Sequence, residues 1–135
     1  VGMNIADKDV LFSEAFRVTK PGGVFGIYDV MLLGNCELQY PLPWAVEEDG
    51  NAIASATDYI SALIKAGFSL KHEDDKTDFA NGFFEKMSAS MGTSEGPPPV
   101  GLHLLMGDLT TQKIKNMAKL IKSGIIAPKI LILEK

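Results

Sequence analysis

Two hydrophobic rhythms alternate along the 135-residue chain, one returning every three to four residues and one running almost unbroken. Leu11, Phe12, Ala15, Phe16 and Val18 follow the first rhythm behind Asp7, a residue type that caps helices, so a helix is predicted to about Thr19. Pro21 stops it, because proline brings no amide to the next turn and restricts Lys20. Gly22 and Gly23 supply the positive φ of a tight reversal. Val24 to Val30 is then apolar almost throughout, as in a strand covered on both faces, and closes on the polar pair Tyr28-Asp29.

Leu32 to Gly50 holds Gly34, Pro41, Pro43 and Gly50, which predict a loop, while Leu38, Tyr40, Leu42 and Trp44 predict an ordered one that covers something. A second helix starts at Asn51 or Ser55, turns Ile53, Ala56, Ile60, Leu63 and Ile64 inward and ends at Gly67. Phe68 to Glu73 alternates Phe68, Leu70 and His72 with polar neighbours, the pattern of a half-exposed strand, and Asp74 to Asp78 reads as a solvated charge run. Phe79, Phe83, Phe84, Met87 and Met91 make the apolar stripe of a third helix, expected in the core. Gly92 to Gly101, with prolines at 97 to 99, reads as an extended surface linker. A last helix includes Thr110 to Lys122, with Leu102 to Met106 either before it or within it, and Gly124 ends it. Ile125 to Leu133 is a β-branched strand in which Pro128 marks the entry or a bulge. Three strands and four helices give an α/β layer, expected to be a single domain over residues 1–135.

Composition narrows the function classes. A net charge of −4 argues against a nucleic-acid surface, and no apolar run approaches the roughly 20 residues of a membrane helix. One cysteine, Cys36, excludes a disulfide framework within the chain and fits a reducing, cytoplasmic setting. Val1 to Ile5 reads as the end of a strand or the loop leaving one, as if the chain began inside a domain.

Met3-Asn4-Ile5-x-Asp7-Lys8, Arg17-Val-Thr-Lys-Pro-Gly-Gly23, Tyr28-Asp29 and Tyr40-Pro-x-Pro-Trp44 together resemble the class I S-adenosylmethionine-dependent methyltransferases. Within them, the resemblance points to the subgroup that methylates small amines such as sarcosine and dimethylglycine. It implies a Rossmann-like sheet of spatial order 3-2-1-4-5-7-6 whose seventh strand is antiparallel. Val24 to Val30 would be the fifth strand, Phe68 to Glu73 the sixth, Ile130 to Leu133 the seventh, and Val1 to Ile5 would follow the fourth. The Leu32 to Gly50 loop would shape the acceptor pocket. The family's glycine-rich turn after the first strand and acidic residue after the second have no counterpart here. Gly22-Gly23 precedes a strand instead of following one. The resemblance therefore implies an incomplete domain, lacking the amino-terminal half and binding S-adenosylmethionine weakly or not at all by itself. The function implied is methyl transfer to a small-molecule acceptor, an amine. The alternative is a non-catalytic fragment that persists as a homodimer through the bare edge of the 24–30 strand.

Methyl transfer from a sulfonium is an in-line displacement that asks for alignment and dryness, so no metal is expected. Aromatic faces attract weakly hydrated cations, which makes Tyr28, Tyr40 and Trp44 either substrate contacts or packing anchors. Asp29 is either the partner of a cationic amine or a turn cap. Asn4 either orients the acceptor or forms a turn, and Met3 either packs against the cofactor or fills the core. His72 beside Glu73 and Asp74 reads as a surface cluster, with His103 remote in sequence. Cys36 has no base placed beside it and reads as a passive thiol. Relatives in the family offer a second reading of the Phe79 to Met91 stripe, as a cover over the acceptor.

Overall fold

The computed structural model describes residues 1–34, 36–90 and 107–135. Met91, the Gly92 to Gly101 stretch, Leu102 to Met106 and His103 lie outside the described residues.

A short turn at Gly2–Asn4 leads into α1 (Lys8–Val18), where the Asp7 carboxylate accepts the Val10 amide and closes the first turn. Phe12 is buried and Phe16 packs on the core, whereas Val18 is exposed, so the inner stripe of α1 ends two residues earlier than the sequence pattern implies. The chain reverses at Gly22, at φ +72°, and enters β1 (Val24–Leu32); Gly23 does not share the expected positive φ, and is needed instead because a Cβ there would lie 2.7 Å from the Lys20 carbonyl oxygen.

The described part of the Leu32 to Gly50 loop, from Cys36 on, is packed as expected. Leu42 is fully buried, Asn116 donates its side-chain amide to the Pro41 carbonyl at 3.0 Å, and the Trp44 indole donates to Asn51 at 2.9 Å. Ser55, not Asn51, caps α2 (Ala56–Ala66), through a reciprocal pair of hydrogen bonds with Asp58. This start turns Tyr59, Ala62 and Leu63 inward and leaves Ile64 56 % exposed, a correction to the expected face. Gly67 ends the helix at φ +113°, and a Cβ there would sit 2.8 Å from the Phe16 ring, so both conformation and space require glycine.

β2 (Ser69–Asp75) extends two residues past the expected end, into the charge run. Phe68 is buried just before it, while Leu70 and His72 are exposed: the strand is an outer edge, and a register shift at Lys71 breaks its alternation. α3 (Thr77–Ser90) follows at once, then α4 (Thr110–Lys122) and β3 (Ile126–Glu134).

The sheet order is β1-β3-β2, with β3 antiparallel to both neighbours. This is the 5-7-6 arrangement, with its reversed seventh strand, that the resemblance implies. Pro128 marks neither an entry nor a bulge but sits inside β3 opposite Val30. Its carbonyl accepts the Lys76 amide at 2.8 Å, which turns its missing N–H toward the side where β2 has ended, so no bond to β1 is lost.

Strand alternation sorts the side chains into two cores. Met31, Leu131 and Leu133 face α1 and α2 and pack on Phe12, Tyr59, Leu63 and Phe68. Ile126 and the half-buried Val30 and Leu32 face the other way, onto Leu42, Ala80, Leu120 and Ile121. Each fully buried leucine contributes about 1.5–3 kcal/mol of transfer free energy.

Leu63 and Ile64 are neighbours with opposite environments, one fully buried and one exposed. Leu63→Ala is expected to cost about 2–5 kcal/mol in urea unfolding, and Ile64→Ala less than about 0.5 kcal/mol. Equal costs would contradict the orientation of α2.

Candidate functional site

A cavity of about 370 Å³ opens at the carboxyl end of β1. Tyr28, Asp29 and Val30 form its floor, Val1 and Met3 one rim, and Phe79, Phe83 and Phe84 of α3 the opposite wall. Met117 and Ile121 of α4 close the back, with Pro128 below. The lining is almost wholly apolar, and Asp29 is its one carboxylate.

Asp29 is only 6 % exposed, so its charge needs partners. The Tyr59 hydroxyl donates to Oδ2 at 3.0 Å, the Val30 amide donates to Oδ1 at 3.2 Å, and the Val1 amino group lies 3.4 Å from Oδ1. Burial first, and then the Asp29 carboxylate, hold the Tyr59 phenol well above the ordinary tyrosine range. Tyr59 therefore remains a hydroxyl donor under Asp29 at any ordinary pH.

The turn that carries Met3 is fitted against this pair. A Cβ on Gly2 would lie 2.4 Å from the Tyr59 hydroxyl oxygen and 2.6 Å from Asp29 Oδ2, so only glycine lets the turn approach. The Lys8 ammonium donates to the Gly2 carbonyl at 2.9 Å, to Ala52 at 2.7 Å and to Ile5, and stands over the Tyr59 ring. Its pKa is lowered by burial, against the pull of Asp29 and Asp58. Lys8 thus ties the turn to the segment entering α2, and the Ala52 amide adds a bond to the Met3 carbonyl at 2.8 Å.

Of the residues singled out from sequence, Met3, Tyr28 and Asp29 meet at this cavity. Asn4 is exposed beside the rim and is not part of the lining. Tyr40 and Trp44 pack with Leu38 and Ile53 on the second core, away from the lining. Burial, and then the nearby Glu48 charge, raise the Tyr40 phenol. Cys36 and His72 are exposed, and among the described residues no three His, Cys, Asp or Glu side chains are grouped to hold a metal.

The third-helix stripe is split, which corrects its placement in the core. Ala80 and the half-buried Phe84 face the core, but Phe79 and Phe83 are 68 % and 53 % exposed and form the cavity wall. Their i, i+4 spacing was the available signal: α3 carries two apolar stripes, and only one is needed for packing. Gly2, Lys8 and Tyr59 had no such signal, since only the tertiary approach of three separate segments makes them neighbours.

No family model matches the chain. Over 77 residues it is 36 % identical to the sterol 24-C-methyltransferase erg6 of Schizosaccharomyces pombe, a match covering 53 % of this chain and 20 % of that protein. Among solved structures it superposes on a protein from Galdieria sulphuraria described as a sarcosine dimethylglycine methyltransferase (TM-score 0.69, 17 % identity), over 98 % of this chain and 49 % of that one. The mycolic acid cyclopropane synthase CmaA1, solved with SAH and CTAB, gives a TM-score of 0.70 at 14 % identity, over 98 % and 52 % of the two chains. The chain shares its fold with about half of each of these two structures, and over 77 residues it is similar in sequence to a sterol methyltransferase. It spans about half the length of these two solved structures.

Among the described residues, the strands are not followed by the glycine-rich turn that would cradle an adenosyl cofactor. β1 runs into the 33–55 segment and β2 into α3 through Lys76, so neither is followed by a glycine-rich turn opening a helix.

Tyr59 has a folded pKa above its unfolded value of about 10. Its contribution is therefore complete below that pH and lost as pH rises through the folded value. Tyr59→Phe is expected to cost about 1–3 kcal/mol at neutral pH, because Asp29 keeps its burial and loses a donor. The difference between wild type and Tyr59→Phe should shrink in denaturation series carried above pH 10, and a difference that stays constant would refute the coupling.

Gly2→Ala should perturb the same pair. We expect fluorescence and near-ultraviolet signals of Tyr59 to change, whereas an alanine at Gly82, where nothing lies within 4 Å, should leave them unaltered.

Proposed function

We propose that this chain is the acceptor-binding part of an S-adenosylmethionine-dependent methyltransferase, and that the cavity beside Asp29 receives the acceptor. The observation that carries the reading is a buried aspartate near the carboxyl end of a strand, among the residues that line a largely apolar cavity. The leading acceptor is a small amine. Its cationic form would be drawn to Asp29, and its methyl groups would lie against Tyr28, Phe79 and Phe83. Cation–π contacts of this kind are each worth about 0.5–2 kcal/mol. Tyr59 holds the carboxylate in place through its hydroxyl. The single thiol and the lack of a long apolar helix among the described residues support a cytoplasmic setting for the enzyme.

A second reading has its own support. Phe84, Met117 and Ile121 extend the apolar wall beyond what a small amine needs, and the erg6 relative is a sterol methyltransferase. An apolar acceptor would use the same walls, with Asp29 beneath the reacting carbon.

Titrating the isotope-labelled chain with dimethylglycine, N,N-dimethylethanolamine and a short isoprenoid alcohol separates the two by chemical-shift changes at Tyr28, Asp29 and Phe83. Under the amine reading, N,N-dimethylethanolamine moves these signals and Asp29→Asn weakens it at least tenfold. Shifts from the isoprenoid alone would favour the apolar acceptor, and shifts elsewhere would reject the cavity. In isothermal titration, S-adenosylmethionine itself should give no saturable micromolar heat with the 135-residue chain.

A further inference from the structure

Lys8 is the first residue of α1, yet its side chain works away from that helix. An ammonium carries three donors. Those of Lys8 go to the carbonyls of Gly2, Ile5 and Ala52, and the same nitrogen stands 5.4 Å from the centre of the Tyr59 ring. Two of the acceptors lie in the turn that carries Met3, and the third lies in the segment entering α2. Ala52 is bonded in both directions: its carbonyl accepts from Lys8 at 2.7 Å and its amide donates to the Met3 carbonyl at 2.8 Å. Two residues on, the Ala54 carbonyl accepts the Leu32 amide at 3.0 Å, so the segment is itself fixed to the end of β1. All three Lys8 acceptors are main-chain groups, and the Val1 amino group takes no part.

Met3 stands on the rim of the cavity, and Tyr59 donates to Asp29 at 3.0 Å. We propose that Lys8 is a positioning residue for this cavity: its ammonium clamps the Met3 turn to the segment that leads to Tyr59, and so sets the spacing between the rim and Asp29. Lys8 is not among the lining residues and acts through Met3 and Tyr59. The consequence for binding rests on the acceptor reading, whereas the clamp itself rests on the hydrogen bonds. A rim held in advance spares a ligand the cost of ordering it.

Lys65 offers the contrast. It also joins α1 to α2, through Asp9, but both partners are exposed and neither touches Met3 or Tyr59. A link of that kind contributes little.

In spectra of the isotope-labelled 135-residue chain, the Lys8 ammonium protons should exchange with water far more slowly than those of the exposed Lys20. Equal exchange would overturn the proposal. Lys8→Met keeps the apolar stem and removes the donors. It should leave the far-ultraviolet circular dichroism unchanged and move the Met3 methyl signal toward its unfolded position. It should also weaken binding of N,N-dimethylethanolamine, or of the short isoprenoid alcohol if that is what the wild type takes, by about tenfold or more. Aminoethylation of Lys8→Cys in a Cys36→Ser background restores an ammonium of the same reach, and both readouts should return to wild type. Lys65→Met should change neither. An unmoved Met3 signal in folded Lys8→Met, no recovery on aminoethylation, or unaltered affinity where the wild type binds would each overturn the proposal. If Lys8→Met does not fold, the exchange comparison and the aminoethylated chain decide. A wild type that binds no ligand fails the acceptor reading alone, and the Met3 signal then decides the clamp.

Discussion

The structure depends on β3 lying between the other two strands. Its odd-numbered residues bond to β1 and its even-numbered residues to β2, so its nine residues hold together segments from opposite ends of the sequence. Both cores follow from it. Leu131 and Leu133 anchor α1 and α2 on one face, and Ile126 anchors α3, α4 and the 33–55 segment on the other. Local helix signals alone would not place α1 and α2, whose Phe12, Tyr59 and Leu63 pack on Met31, Leu131 and Leu133 of the sheet. The pairing is also non-local, which places sheet closure late and makes it slow relative to the helices.

The cavity is a by-product of this layering. Both faces of β1 pack, and near its carboxyl end Asp29 is buried against Tyr59 and the turn at Gly2. Gly2, Lys8 and Tyr59 resolve the cost of that burial together: one gives space, one anchors the turn, and one donates. Their geometry makes the carboxylate a fixed feature of the cavity. A side chain so held keeps its direction when a ligand enters, which lowers the ordering cost of binding.

Much of the fold was legible because proline, glycine and capping residues punctuate the chain. Pro21 to Gly23, Ser55 and Gly67 bound their elements by local chemistry that tertiary context did not override. The spatial order of the strands was legible only through family likeness, because nothing in the periodicity says which strand lies in the middle. The faces were less legible. Ile64, Phe79 and Phe83 obey helical spacing as well as their buried neighbours do, and only the neighbouring layers decide which stripe is covered. Asp29 was legible as a polar interruption in an apolar strand, but Tyr59 lies 30 residues further on and its partnership is a matter of tertiary packing. In the 40–44 stretch, aromatic residues of a type common in ligand sites instead hold a loop on α4.

Pro128 shows how a backbone atom can set the shape of a binding surface some distance away. Lys76 and Pro128 face each other as the next rung of the ladder, but only Lys76 has an amide to give. The rung is half made, β2 cannot continue, and the chain is released into α3 at Thr77. The placement of Phe79 and Phe83 over the cavity is counted from that release point. An imino acid in the central strand therefore acts as the measuring mark from which the aromatic wall is laid out.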